Sequence, residues 1–138
     1  MSWEDDLSKK HGLNKAQEQR ESEEKRRILL GDLAREFGVA CNELQKAQSL
    51  FGRIGKIVSL HQQGNHFTLA YGSGTPSLGL KMKGDDTGFE IIEDNIVVDS
   101  VSIFYNGDSI VLESKKNQRV DTVNVMGYFI KRFDARIP

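Results

Sequence analysis

The stretch KIVSLHQQGNHFTLAYG, residues 56–72, decides how this chain is read. Gly64-Asn65 is a two-residue turn of the kind that joins antiparallel strands. Pairing across it sets Gln62 opposite Phe67, Leu60 opposite Leu69 and Val58 opposite Tyr71. All three pairs fall on one face, so turn chemistry and apolar alternation predict the same register. A β-hairpin over 56–72 follows, and with it a sheet-forming C-terminal half.

Beyond the hairpin the period stays at two. Gly72-Ser-Gly-Thr-Pro-Ser77 reads as a loop, and Leu78, Leu80 and Met82 as a third strand. Gly84–Gly88 ends it. Phe89 and Ile91 open a fourth strand reaching Asp94-Asn95, and Ile96–Tyr105 is the fifth. Asn106-Gly107 predicts a second hairpin that sets Ile103 opposite Ile110 and Val101 opposite Leu112. Val120–Phe133 reads as a last strand or strand pair, with Gly127 as a bulge. The expectation is a curled antiparallel meander of six or seven strands over residues 54–133. Ile57, Ile92, Val98, Phe104, Val111 and Ile130 also need cover, which predicts a partial barrel or a second subunit on the other face.

Upstream of the hairpin the period is helical. Leu30, Leu33, Phe37, Ala40, Leu44, Ala47, Phe51 and Ile54 recur at spacings of three and four. One long helix over 14–53, laid on the sheet, is the direct reading and makes residues 14–138 one α+β domain. The same stripe suits a self-associating helix pair through Leu30, Leu33, Phe37, Leu44 and Phe51. Residues 15–27 hold one apolar residue, Ala16, and predict a solvated helix with pairs such as Glu21–Lys25 and Glu23–Arg27. Residues 1–13 read as a tail or a short helix, with Ser2 as its cap, Gly12 as its end, and Trp3 and Leu7 free to dock.

Residues 30–47 also resemble a helix-turn-helix motif. Ala34 sits where two helices would cross, Gly38 where they would turn, and Leu33, Phe37, Val39 and Leu44 where apolar anchors belong. That resemblance implies a helix broken near Gly38 and a recognition helix presenting Asn42, Gln45, Lys46 and Ser49 to nucleic acid.

Composition narrows the function classes. The chain has 138 residues, 38% of them hydrophobic and 28% charged, with a formal net charge of −1. Residues 1–53 carry 10 basic and 10 acidic side chains and residues 54–138 carry 9 and 10, so neither half pulls toward a polyanion. Cys41 is the single cysteine and reads as a buried packing residue, which leaves no disulfide framework and no zinc cage. The start of the chain is acidic and does not read as a signal peptide. No run approaches the ~20 apolar residues of a membrane helix. A cytoplasmic protein without membrane contact is expected.

No constellation announces a reaction, and no cofactor is expected. His61 and His66 flank the first turn as diagonal neighbours on the face away from Leu60, close enough to share a metal if a third ligand joins them. Gly72–Ser77 lacks the Lys-Ser/Thr ending of a phosphate loop. Asp85, Asp86, Glu90, Glu93 and Asp94 lack the spacing of a calcium loop and read as solvated turns. Lys115, Lys116, Arg119, Lys131, Arg132 and Arg136 gather toward the C-terminus, and pairing of the last strands would bring the first five into one basic patch with Tyr128, Phe129 and Phe133 interleaved, the pattern of a nucleic-acid surface or of a charged edge strand. The expectation is a non-enzymatic interaction or binding protein, a homodimer or one with a protein partner. A nucleic-acid-binding regulator and a small ligand-binding or metal-dependent enzyme with a pocket between helix and sheet are the alternatives.

Overall fold

The computed structural model describes residues 3–138, with the side chains of residues 4–15 outside the description. The order is α1 (Trp3–Arg53), β1 (Val58–Gln63), β2 (His66–Tyr71), β3 (Ser77–Met82), β4 (Gly88–Glu93), β5 (Ile96–Asn106), β6 (Ser109–Ser114) and α2 (Thr122–Arg136). The strands form one antiparallel meander in chain order, and the sheet does not close on itself. Both helices lie on one face of it.

Helix α1 is continuous. Leu33, Phe37, Ala40, Leu44, Ala47 and Phe51 recur on one side and are buried in the chain's own core. The helix-turn-helix reading is therefore corrected, because Gly38 lies inside the helix and is exposed, with open space where a Cβ would stand. A glycine inside a helix costs about 1 kcal/mol, while burying a side chain such as Phe37 or Leu44 gains about 1.5–3 kcal/mol. Keeping both halves of the stripe on the sheet outweighs the turn. The same burial corrects the helix-pair reading. Leu33, Phe37, Leu44 and Phe51 are spent inside one chain, and Leu30 is half-buried. Gly55, with φ +81°, ends the stripe, and Lys56 N donates back to Phe51 O at 2.9 Å.

Toward its start α1 passes through Gly12 without a break, so the expected short helix is part of it. Ser2 as a cap and docking by Leu7 lie outside the described residues. Residues 17–28 are exposed on every side, as a polar helix must be. Lys25 does not pair with Glu21. It lies 3.8 Å from Asp108 and over the Tyr105 ring, while Tyr105 Oη donates to Lys25 O at 3.1 Å. These contacts tie the helix to the β5–β6 hairpin.

The first hairpin has the expected register, Val58–Tyr71, Leu60–Leu69 and Gln62–Phe67. In the second, Asn106 pairs with Ser109, so the loop is Gly107-Asp108 and Ile103 faces Leu112 rather than Ile110. Gly107 carries the positive φ that the loop needs. The slip is two residues, and an even slip leaves every side chain on its face. The covered face holds Leu60, Leu69, Leu78, Leu80, Phe89, Ile91, Val101, Ile103 and Leu112.

The segment Val120–Phe133 is not a strand but the body of α2. Asp121 caps it, accepting from Asn124 N at 3.3 Å. Thr122, Met126, Phe129 and Phe133 follow at helical spacing and are buried against α1 and the sheet. Gly127 is consequently no bulge. This helix also resolves part of the expected excess of apolar surface. Ile130 packs on the core from α2, and a register shift after Ile91 turns Val98 to the core. Ile92, Phe104 and Val111 remain half-buried on the uncovered face.

Candidate functional site

Four of the five cations expected in one basic patch come together. Lys115, Lys116, Arg119 and Arg132 line a cleft of ≈ 570 Å³ between the 114–121 connection and α2, with Tyr128 and Phe129 on one wall. Lys131 does not join them. On a helix, neighbours 131 and 132 point about 100° apart, and Lys131 faces a separate apolar groove beside Leu50, Ile54 and Ile130. Phe133 is buried in the core.

The cleft also contains residues that sequence reasoning did not place there, namely Glu93, Asp99, Asp121 and Asn124. Glu93 is 6% exposed. Arg132 grips it from across the fold, Nε to Oε2 at 3.1 Å and Nη2 to Oε1 at 2.9 Å, and Arg136 stands 3.7 Å away. Hydrogen bonds to Glu93 and to Tyr128 hold the Arg132 guanidinium firmly protonated. Its Cζ also lies over the Tyr128 ring, 5.8 Å from the centroid, and Tyr128 meets Phe129 edge-on at 5.0 Å. Tyr128 keeps these contacts although it is 57% exposed.

The other acids of the cleft are occupied as well. Asp99 Oδ1 accepts from Ser100 N at 2.7 Å and Lys115 N at 3.1 Å, and Asp121 caps α2. Arg119 reaches Glu113 at 3.4 Å. Lys115 and Lys116 sit on the turn after β6, where Ser114 Oγ accepts from Lys116 N and Gln118 N. Among the described residues neither ammonium has a carboxylate within ion-pair distance.

The remaining candidates are scattered. Asn42, Gln45, Lys46 and Ser49 lie on the solvent side of the unbroken α1, where Lys46 pairs with Glu43 at 3.2 Å. His61 and His66 share the uncovered face, but each ring finds its own hydroxyl. His61 Nε2 is 2.9 Å from Ser59 Oγ, and His66 Nε2 is 3.4 Å from Thr68 Oγ1. Among the described residues no three His, Cys, Asp or Glu side chains gather as a metal cage. Asp85 accepts from Thr87 N and Oγ1, bonds that hold its carboxyl below the usual range. Asp94 accepts from Ser77 N at 2.8 Å. Both therefore organise turns.

Among the described residues no helix is long and apolar enough to cross a membrane. No protein family, curated protein or solved structure matches this chain.

Proposed function

We propose that this protein is a non-enzymatic binding protein and that the cleft beside α2 is its ligand site. Its ligand is a small anion carrying a planar or apolar group. The observation that carries this reading is Lys115 and Lys116 at the mouth of a cleft walled by Tyr128 and Phe129, with the neighbouring acids already engaged. The volume lies within the range of small-molecule sites, about 300–1,000 Å³. An anion entering it gains two ammonium groups and an aromatic face without breaking the Glu93–Arg132 pair. Glu93, Asp99 and Asp121 in the wall favour a compact anion over a long polyanion, which passes along a groove rather than into one.

The test is a fluorescence titration with 1-anilinonaphthalene-8-sulfonate, an aromatic sulfonate. Saturable binding is expected that weakens as salt is raised, since the contacts are exposed charges. The double substitution Lys115→Ala, Lys116→Ala should weaken it severalfold, and Tyr128→Ala likewise. Leu50→Ser, in the separate apolar groove, should leave it unchanged. Equal binding by the lysine double variant and the unaltered protein would refute the reading. A single-stranded oligonucleotide binding more tightly than the sulfonate, with a steep salt dependence, would favour nucleic acid instead.

A further inference from the structure

We infer that β1 is a self-pairing edge, through which two copies of this chain join antiparallel, with Leu60 of each copy at a twofold axis, into one continuous sheet. This goes beyond the ligand reading and does not depend on it.

The two edges of the sheet are treated differently by the chain. The β6 edge is closed by the chain itself along its last half, residues 112–114. Gln118 O accepts from Ser114 N at 2.8 Å, Leu112 O accepts from Val120 N at 3.1 Å, and Arg119 bridges Glu113. Among the described residues the β1 edge has nothing comparable, for β1 pairs with β2 alone. Residues flanking a two-residue hairpin loop exchange hydrogen bonds, and the pattern alternates from there. Gln63, His61 and Ser59 thus bond to β2, and Gly72 N to Ile57 O at 2.9 Å continues the series. Val58, Leu60 and Gln62 direct their backbone groups outward. Val58 N is taken by Lys56 O at 3.1 Å, and among the described residues the outward groups of Leu60 and Gln62 have no backbone partner.

Exposed edges are ordinarily guarded by charge, proline or a bulge. The strand VSLHQQ has no acidic or basic residue other than His61, no proline, and an unbroken register with β2. Apolar surface flanks it. Ile57, immediately before the strand, is 77% exposed, and Ile54 and Leu50, at the end of α1 that leads into it, are 65% and 59% exposed.

A second copy fits this edge because the strand is its own complement. A twofold axis normal to the sheet makes the strands antiparallel and keeps the helices of both copies on one side. Directly opposed residues then share a face, so a residue meets one of its own parity. Centring on Leu60 sets Leu60 against Leu60 of the second copy on the helix-covered face, Val58 against Gln62, and Ser59 against His61. That centre engages the outward groups of Leu60 and Gln62 and the outward carbonyl of Val58, whose N–H stays with Lys56 O. Moving it to Ser59 or to His61 leaves one of them beyond the strand. No like charges oppose each other in this register.

The test is sedimentation equilibrium on the full chain. The unaltered protein should be a dimer. Gln62→Pro should weaken the association by about a hundredfold or more with unchanged circular dichroism, because it removes an outward N–H that the chain's own sheet does not use. A monomer at every concentration reached overturns the proposal, and so does a Gln62→Pro variant that associates as tightly as the unaltered protein. Should Gln62→Pro fail to fold, oxidation of mixed Ser59→Cys and His61→Cys proteins decides. Cross-linking chiefly between the two variants is expected, and its absence overturns the register. Loss of association with sulfonate binding intact, or the reverse, separates this proposal from the ligand site.

Discussion

Thr122 Oγ1 donates to Glu36 Oε2 at 2.6 Å, joining the first turn of α2 to the middle of α1 across 86 positions of sequence. Thr122 is 1% exposed, and Glu36 accepts from its hydroxyl. The pair fixes where the second helix begins, immediately after its Asp121 cap and at the end of the cleft that Asp121 lines.

Replacing Thr122 by the isosteric Val keeps the packing and deletes the donor. A hydrogen bond to a charged group contributes about 2 kcal/mol, so urea unfolding of Thr122→Val should show a loss of about that size. Glu36→Gln retains an acceptor and should lose less. Equal stability of Thr122→Val and the unaltered protein would mean that the contact contributes nothing.

Two glycines should respond in opposite directions. A Cβ on Gly38 meets nothing within 4 Å, whereas on Gly88 it would stand 1.9 Å from Val101 O, in the backbone of the neighbouring strand. Gly38→Ala should stabilise the protein by about 0.5–1 kcal/mol through helix propensity alone. Gly88→Ala forces β4 and β5 apart and should destabilise by about 2 kcal/mol or more. Thermal unfolding reads both. Destabilisation by Gly38→Ala would contradict a continuous α1 and restore the turn.

What was legible in the sequence was local. The hairpin register at Gly64-Asn65 needs only the turn and the alternation beside it, and the α1 stripe needs only its own spacing. Helix α2 reads as a strand in the sequence because Val123, Val125, Tyr128 and Ile130, β-branched or aromatic, overlay the helical recurrence of Met126, Phe129 and Phe133. Its sequence signals are that recurrence and Asp121, a favoured cap residue immediately before it. The gathering of Lys115, Lys116, Arg119 and Arg132 was expected from strand pairing and arises instead from a helix folding back beside the turn. Lys131 leaves the group for that reason. Glu93 carried no local signal, since its partner Arg132 lies 39 positions away.

That pair should be energetically coupled. Glu93 is buried and Arg132 satisfies both of its oxygens. Arg132→Met strands a desolvated carboxylate and should lower the melting temperature. Glu93→Gln added to it should recover part of the loss, because the charge that was stranded is gone. A double-mutant cycle reads the coupling, and additive single effects would show that Arg136 alone suffices for Glu93.

Cys41 is buried on α1, and burial pushes its thiol up to about 11 from a starting value of 9.0. At pH 8 the thiolate fraction is then about a hundredfold below that of a free thiol, so reaction with a disulfide reagent should be slow until the protein unfolds. The sign of the stability effect follows from proton counting. Between about pH 9 and 11 the unfolded chain releases this proton and the folded chain keeps it, so the unfolded state binds fewer protons and stability falls as pH rises. The contribution is fully present below pH 9. Urea unfolding from pH 8 to pH 11 should show a steeper decline for the unaltered protein than for Cys41→Ala. Parallel curves would place the thiol in contact with solvent, and with it the side of α1 that bears it.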